Sequence, residues 1–271
     1  MRACNLRLNP PGRGDILTIV SLYSSWPQRL YRRVLEELQL VGLDLPLAQL
    51  RARLPHDTPV FLVGGFVRDC ARALIESISV DVKDADIVAD TEGLGLAMRT
   101  LGGVLSRTPL GGYRWQAREK GIWIDAWQLK DTVWIHSLKL PVNIDSFLDG
   151  VDLNLDRIAI GLHDQSEYDR GCYSAIINRT IDLDAKYRLS ELEPDELARA
   201  IVAHLKTRYH LSSSILKAFG RFDLDALAAR ATERLIGDGY PDAMVAQVRR
   251  FITSFEKRRT TVRLSARGRE S

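Results

Sequence analysis

The 271-residue chain has only three cysteines, Cys4, Cys70 and Cys172, odd in number and far apart. That scarcity argues against a disulfide framework and a zinc site, and the expected location is a reducing cytoplasm. No apolar run is long enough to span a bilayer, so no membrane partner is expected. The opening MRACNLRLNPPGRGD carries basic residues but no continuous apolar stretch, which is not the pattern of a secretory signal. The five histidines are scattered, and His204 and His210 are too loosely placed for a metal pair. No Ser–His–Asp or Cys–His set assembles, and no internal repeat is present. The formal charge of +3 is too small to identify a partner by itself. What is there is the composition of a globular chain, 45% hydrophobic and 27% charged, with core material for one large domain or two small ones.

The most informative stretch runs from Phe61 to Asp90, FLVGGFVRDCARALIESISVDVKDADIVAD. An apolar strand, Val60 to Val63, breaks at Gly64–Gly65, continues as a helix through Ile75, and returns as a second strand carrying Asp84 and Asp86. A Gly-Gly turn between strand and helix lets backbone N–H groups approach an anion closely, and the helix N-terminus favours negative charge. Side chains alternate faces along a strand, so Asp84 and Asp86 point the same way. Two aligned carboxylates about twenty residues after a phosphate cradle are what a Mg²⁺–nucleotide site requires. A glycine turn in an ordinary α/β unit would explain the turn but not the aligned carboxylates.

GGFVRD followed by DADIV resembles the head of the CCA-adding enzyme and bacterial poly(A) polymerase family of nucleotidyltransferases, through Gly64, Gly65, Val67, Arg68, Asp69, Asp84 and Asp86. The resemblance implies an α+β fold, a polymerase beta-like nucleotidyltransferase head with a mixed sheet followed by a helical domain. It also implies transfer of an NMP from an NTP, ATP foremost, to an acceptor hydroxyl at an RNA 3′ end, by a two-metal mechanism. Asp84 and Asp86 would bind two Mg²⁺, joined by a third carboxylate on a neighbouring strand. In RTPLGGYRWQAREKGIWIDAWQL that place falls to Asp125, with Gly112 at the family's earlier glycine turn. Asp125 can also be read as a surface aspartate paired with Lys130 or Arg118. Gly64 and Gly65 would cradle phosphates, and Arg68 would either add charge or pair with Asp69 to buttress the fold. A later segment, Gly150 to Asp156, resembles the family's R-R-D-F-T-I-N, so Asp152 and Asp156 join the nucleotide-binding set, although Gly150 and Val151 replace the two arginines and only Arg157 could compensate. In the family's E-D-x-x-R base-selecting motif, Glu193 stands for the aspartate, Glu196 for the first arginine and Arg199 for a later one. CCA or poly(A) specificity is therefore not carried over.

The remaining pattern gives an N-terminal lead and helices over 1–54, the head over 55–185, a helical domain over 186–256 and a basic tail over 257–271. The lead is rich in proline and glycine to about residue 15. Ser25 caps a first helix, and Leu45 to Leu54 forms a second. A helix follows Thr91, and a hairpin joins strands near Tyr113–Arg118 and Ile122–Leu129. In the second of these, Trp123, Asp125 and Trp127 share one face, opposite Ile122, Ile124 and Ala126; the tryptophans, Trp115 included, are read as core. Leu155 to Leu162 and Ser174 to Ile181 read as strands. Beyond Ser190 the pattern is helical, with helices over Ser212–Phe219, Leu224–Ile236 and Asp242–Phe255. The tail carries Lys257, Arg258, Arg259, Arg263, Arg267 and Arg269 and is read either as an RNA-phosphate track or as a solvated end. Two other functions stay open: a nucleotidyltransferase whose acceptor is a protein or small molecule, and a non-catalytic nucleotide- or RNA-binding relative.

Overall fold

The computed structural model describes residues 26–108, 110–117, 121–183 and 193–267, with side chains from 28 to 257. Two helices lead, α1 (Trp26–Val41) and α2 (Asp44–Arg53). Strand β1 (Val60–Val63) then enters α3 (Gly64–Glu76), and β2 (Asp84–Ala89) returns antiparallel to β1. A short helix α4 (Leu94–Arg99) precedes β3 (Val104–Arg107), β4 (Tyr113–Gln116) and β5 (Trp123–Gln128). Helices α5 (Val133–Leu138) and α6 (Ile144–Gly150) lead through a 3₁₀ turn at Asn154–Asp156 into β6 (Ile158–Gly161) and β7 (Glu167–Asp169). The seven strands form one sheet in the order β3-β4-β5-β2-β1-β6-β7. All its neighbours are antiparallel except β2 and β5, which makes the sheet mixed.

The alternation of side chains divides this sheet into two environments. Ala85, Ile87, Ile124 and Ala126 face the main core, together with Phe66, Val67 and Cys70 of α3. The other face carries a smaller cluster of Phe61, Val63 and Val88 under Ile135 of α5 and Phe147 and Leu148 of α6. Val88 lies beneath that cover, whereas Asp86, two residues earlier on the same face, borders a cavity.

Helix α7 (Cys172–Asn178) precedes β8 (Thr180–Ile181), which pairs with β9 (His210–Leu211) beyond α8 (Pro194–Thr207). Helices α9 (Ser213–Phe219), α10 (Leu224–Gly237) and α11 (Asp242–Arg267) complete the described residues. Leu197 and Ile201 of α8, Leu227 and Leu235 of α10, and Val248 of α11 bury themselves in the main core, which continues from the head. The helical part is also fastened beside the acidic strand. Lys83, the residue before Asp84, donates to the Asp238 carbonyl at 3.1 Å. The Lys83 and Lys206 ammonium groups both contact the Tyr240 ring, 3.3 and 4.6 Å from its centroid.

Two expectations need correction. Ser174 to Ile181 is not a strand: α7 occupies most of it, because Cys172, Ala175 and Ile176 recur at helical spacing on a buried face. Gly171 at φ +117° starts that helix, and the Asp169 carboxylate accepts from the Tyr173 N–H at 3.2 Å. The last helix does not end at Phe255 but runs to Arg267, through most of the basic stretch. Ser25, Arg118, Cys4 and Arg269 lie outside the described residues, and the side chains of Arg258, Arg259, Arg263 and Arg267 likewise.

Candidate active site

Strand register builds the site. Arg114, Asp125, Asp86 and Val63 form a row of direct partners across β4, β5, β2 and β1. Gly64 follows Val63 at φ +71°, a left-handed conformation that favours glycine. The turn thus brings the start of α3 against Asp86, and a Cβ on Gly64 would lie 3.2 Å from Asp86 Oδ2. Val63, the N-cap of α3, offers no side-chain acceptor, so the first helical N–H groups remain free for an anion.

A cavity of about 230 Å³ opens beside this turn. Of the residues read as functional from the sequence, Gly64, Gly65, Asp86, Asp152, Asp156 and Arg199 line it, and Asp84, Asp125 and Arg68 do not. Its charge is mainly negative, since Asp86, Asp131, Asp152 and Asp156 face a single lining cation, Arg199, which pairs with Asp152 at 2.9 Å. No described residue donates a hydrogen bond to, or forms an ion pair with, the carboxylate of Asp84 or Asp86. Burial raises the Asp86 pKa well above the usual carboxylate range, and Asp84, Asp125 and Asp156 push it further up. Burial followed by Asp125 raises that of Asp84. Two carboxylates on one strand face, made costly by burial and without a partner among the described residues, with Asp86 beside a cradle that a Cβ would crowd, fit a hard, oxygen-liganded divalent cation.

Asp125 is placed differently. It is buried, and both its oxygens accept from Arg114, from Nε at 2.7 Å and from Nη2 at 2.5 Å. Neither Lys130, which pairs with Glu92, nor any other described lysine holds it. Among the described residues no group of three His, Cys, Asp or Glu side chains is arranged to hold a metal ion.

The other expected binders are largely tied into the scaffold. Arg68 is 7% exposed, forks onto both oxygens of Asp69 at 2.9 Å, and reaches Asp156 at 2.6 Å. Burial works against this cation, but Asp69 and Asp156 outweigh it and raise its pKa well above the ordinary value. Arg157 is also buried and donates to the backbone carbonyl of Val151 at 2.8 Å, so it does not replace the missing arginines in the cavity. Glu196 has a local structural role: its carboxylate accepts from the Glu193 N–H at 2.7 Å and closes a capping box at the start of α8.

An aromatic wall went unread in the sequence. Trp134 and Phe147 line the cavity with ring centroids 5.4 Å apart, and Trp127, expected in the core, packs partly buried against the smaller cluster and joins them. A Cβ on Gly150 would lie 2.2 Å from Trp134 Cδ1, so the indole occupies the space an arginine at 150 would need. The segment VWIHSL that carries Trp134 mixes apolar and polar residues and does not distinguish a wall from core. Trp115 is core, as expected, whereas Trp123 lies beneath the Arg114 guanidinium, 4.8 Å from the ring centroid.

Solved structures show where this architecture recurs. The Thermotoga maritima CCA-adding enzyme complexed with tRNA superposes with a TM-score of 0.58 at 20% identity, over 83% of this chain and 53% of that one. This is the fold of the CCA-adding enzymes. A CCA-adding enzyme in complex with CTP gives 0.59 at 18% identity, over 83% of this chain and 54% of that one. Another, with ATP, gives 0.51 at 21%, over 79% and 48%. The chain spans about half the length of the solved structures it matches. No protein-family model matches it, and no curated protein does. The resemblance read from GGFVRD and DADIV therefore extends to three dimensions. No helix among the described residues is long and apolar enough to cross a membrane.

Proposed function

We propose that the chain is a Mg²⁺-dependent nucleotidyltransferase that moves an NMP from an NTP, ATP foremost, to the 3′ hydroxyl of an RNA. The observation that supports this reading is Asp86 against the Gly64 turn in the cavity wall, with Asp84 two residues before it on the same strand face and neither carboxylate held by a described cation. Asp84 and Asp86 would hold the cation. A Mg²⁺ held there would supply positive charge for the phosphates in an acidic cavity and would make the attacking hydroxyl more acidic. Gly64 and Gly65 present backbone N–H groups to the phosphates at the start of α3. Trp134, Phe147 and Trp127 give the nucleotide an apolar wall and exclude water from it. Arg199, anchored on Asp152, contributes the cavity's cation. Arg68 acts at a distance by fixing α3 to the 3₁₀ turn through Asp156. In this reading residues 55–185 form the head and residues 186–256 close over the nucleotide.

The test is to incubate the protein with each labelled NTP and Mg²⁺ in the presence of separate RNA and protein acceptors. Label on an RNA 3′ end, lost on removal of Mg²⁺, is the expected result. Label on protein would move the acceptor to the alternative class. Absence of transfer to any acceptor, together with absence of NTP binding, would overturn the reading.

A further inference from the structure

The pairing of Asp125 has a physical origin that its sequence neighbours conceal. In YRWQ the alternation puts Arg114 on the face of Asp125, and antiparallel register makes the two direct cross-strand partners. The guanidinium fork meets both carboxylate oxygens, the strongest geometry available to this pair. Exposure is unequal: the Asp125 side chain is 7% exposed and that of Arg114 is 45% exposed. The arginine head rests on the Trp123 ring and is open to solvent, whereas the aspartate is buried. Across the row, Asp86 is the next partner of Asp125, and no described cation forms an ion pair with it. Each of the three carboxylates could serve a divalent ion, and the only one denied to it is the one that Arg114 covers.

We propose that Arg114 is a positioning residue that keeps the third carboxylate in register while withholding it from metal. A first divalent cation then binds at Asp84 and Asp86, and a second must displace Arg114 from Asp125. This rests on the metal assignment made under Proposed function. Its consequence is a built-in order of loading. A second cation competes with a bidentate guanidinium, and occupancy at Asp125 releases the arginine head towards solvent, where Trp123 lies beneath it.

The test measures Mn²⁺ binding to the full chain at neutral pH, by titration calorimetry and by the electron-paramagnetic signal of free Mn²⁺, without nucleotide. Wild type should bind one ion tightly. Arg114→Gln should gain a second, or tighten overall binding by about tenfold or more. Arg114→Lys, which can hold only one carboxylate oxygen at a time, should fall between them. Adding Asp125→Asn to Arg114→Gln should restore the wild-type titration. If Arg114→Gln fails to fold without metal, rescue of its fold by Mn²⁺ supports the inference and failure of rescue overturns it. Identical titrations for wild type and Arg114→Gln, with wild type binding Mn²⁺, refute the role of Arg114 and leave the metal site standing. Absence of Mn²⁺ binding in every variant refutes both.

Discussion

Replacing Gly64 by alanine isolates the turn on which the site depends. The residue has φ +71°, where an L side chain costs roughly 1–2 kcal/mol. Its Cβ would also stand 3.2 Å from Asp86 Oδ2, close enough that the carboxylate must shift by a few tenths of an ångström. Backbone strain and the crowded carboxylate act together, so Gly64→Ala should lose about 1–2 kcal/mol of stability, a melting shift of roughly 2–8 °C for a chain of this size. Gly65→Ala is the control. Gly65 is not in the left-handed region, so alanine adds no backbone strain there, although its Cβ would meet the Arg68 guanidinium at 3.3 Å. It should lose less stability than Gly64→Ala, since only the Arg68 contact and no left-handed strain is at stake. Urea unfolding without metal, followed by Mn²⁺ titration of both variants, separates the two effects. Only Gly64→Ala should lose both stability and metal affinity. A Gly64→Ala protein as stable as Gly65→Ala and equally avid for Mn²⁺ would mean that the turn does not shape the acidic site.

Asp86→Asn should abolish transfer yet leave the metal-free protein at least as stable as wild type at neutral pH, because it removes a charge that burial and Asp84 disfavour. The folded pKa of Asp86 is raised, so its favourable contribution is complete below the ordinary carboxylate range and is lost as pH rises through the folded value. Urea midpoints across that range should fall with pH in wild type and fall less in the variant, and equal slopes would count against the electrostatic account. Mn²⁺ affinity should rise with pH over the same window, because Asp84 and Asp86 must shed protons to bind it. Arg68→Met strips Asp69 and Asp156 of their shared cation and should cost about 3–5 kcal/mol, read from denaturant unfolding; a loss under 1 kcal/mol would show that the network is dispensable. Glu196→Ala opens the capping box and should cost about 1 kcal/mol without altering relative incorporation of the four NTPs. A changed nucleotide preference would give Glu196 a reading role, and ordered C, C, A addition to a tRNA end by wild type would show that α8 selects bases after all.

Local pattern carried the parts of the fold and site that depend on neighbours in sequence. Val60 to Val63 is apolar, Gly64–Gly65 breaks it, and the strand–turn–helix follows at those residues. The face shared by Trp123, Asp125 and Trp127 also follows from simple alternation, with Ile124 and Ala126 in the main core opposite. Long-range geometry was not legible. Which cation meets Asp125 depends on the register of β4 against β5, and proximity in sequence suggested Lys130 or Arg118 instead of Arg114. The loss of the two arginines at 150 and 151 was visible, but its cause was not, because Trp134 reaches Gly150 only after α5 and α6 pack together. Propensity misled at Ser174 to Ile181, where a buried face at helical spacing decided the outcome.

The one parallel pair in the sheet also constrains how the chain folds. Asp86 and Asp125 are partners although 39 residues (125 − 86) separate them, and such pairings form slowly because the loop must close before contacts reward it. Arg114 is only 11 residues from Asp125 on an antiparallel neighbour, a contact that can form early. The β4–β5 unit would then reach β2 with its aspartate already neutralised, and would not face the charges of Asp84 and Asp86 as a third anion. On that basis Arg114→Gln should refold more slowly than wild type at low ionic strength and recover as salt screens the carboxylates. Stopped-flow refolding with equal rates for both proteins at every salt concentration would show that the acidic strand closes without help from Arg114.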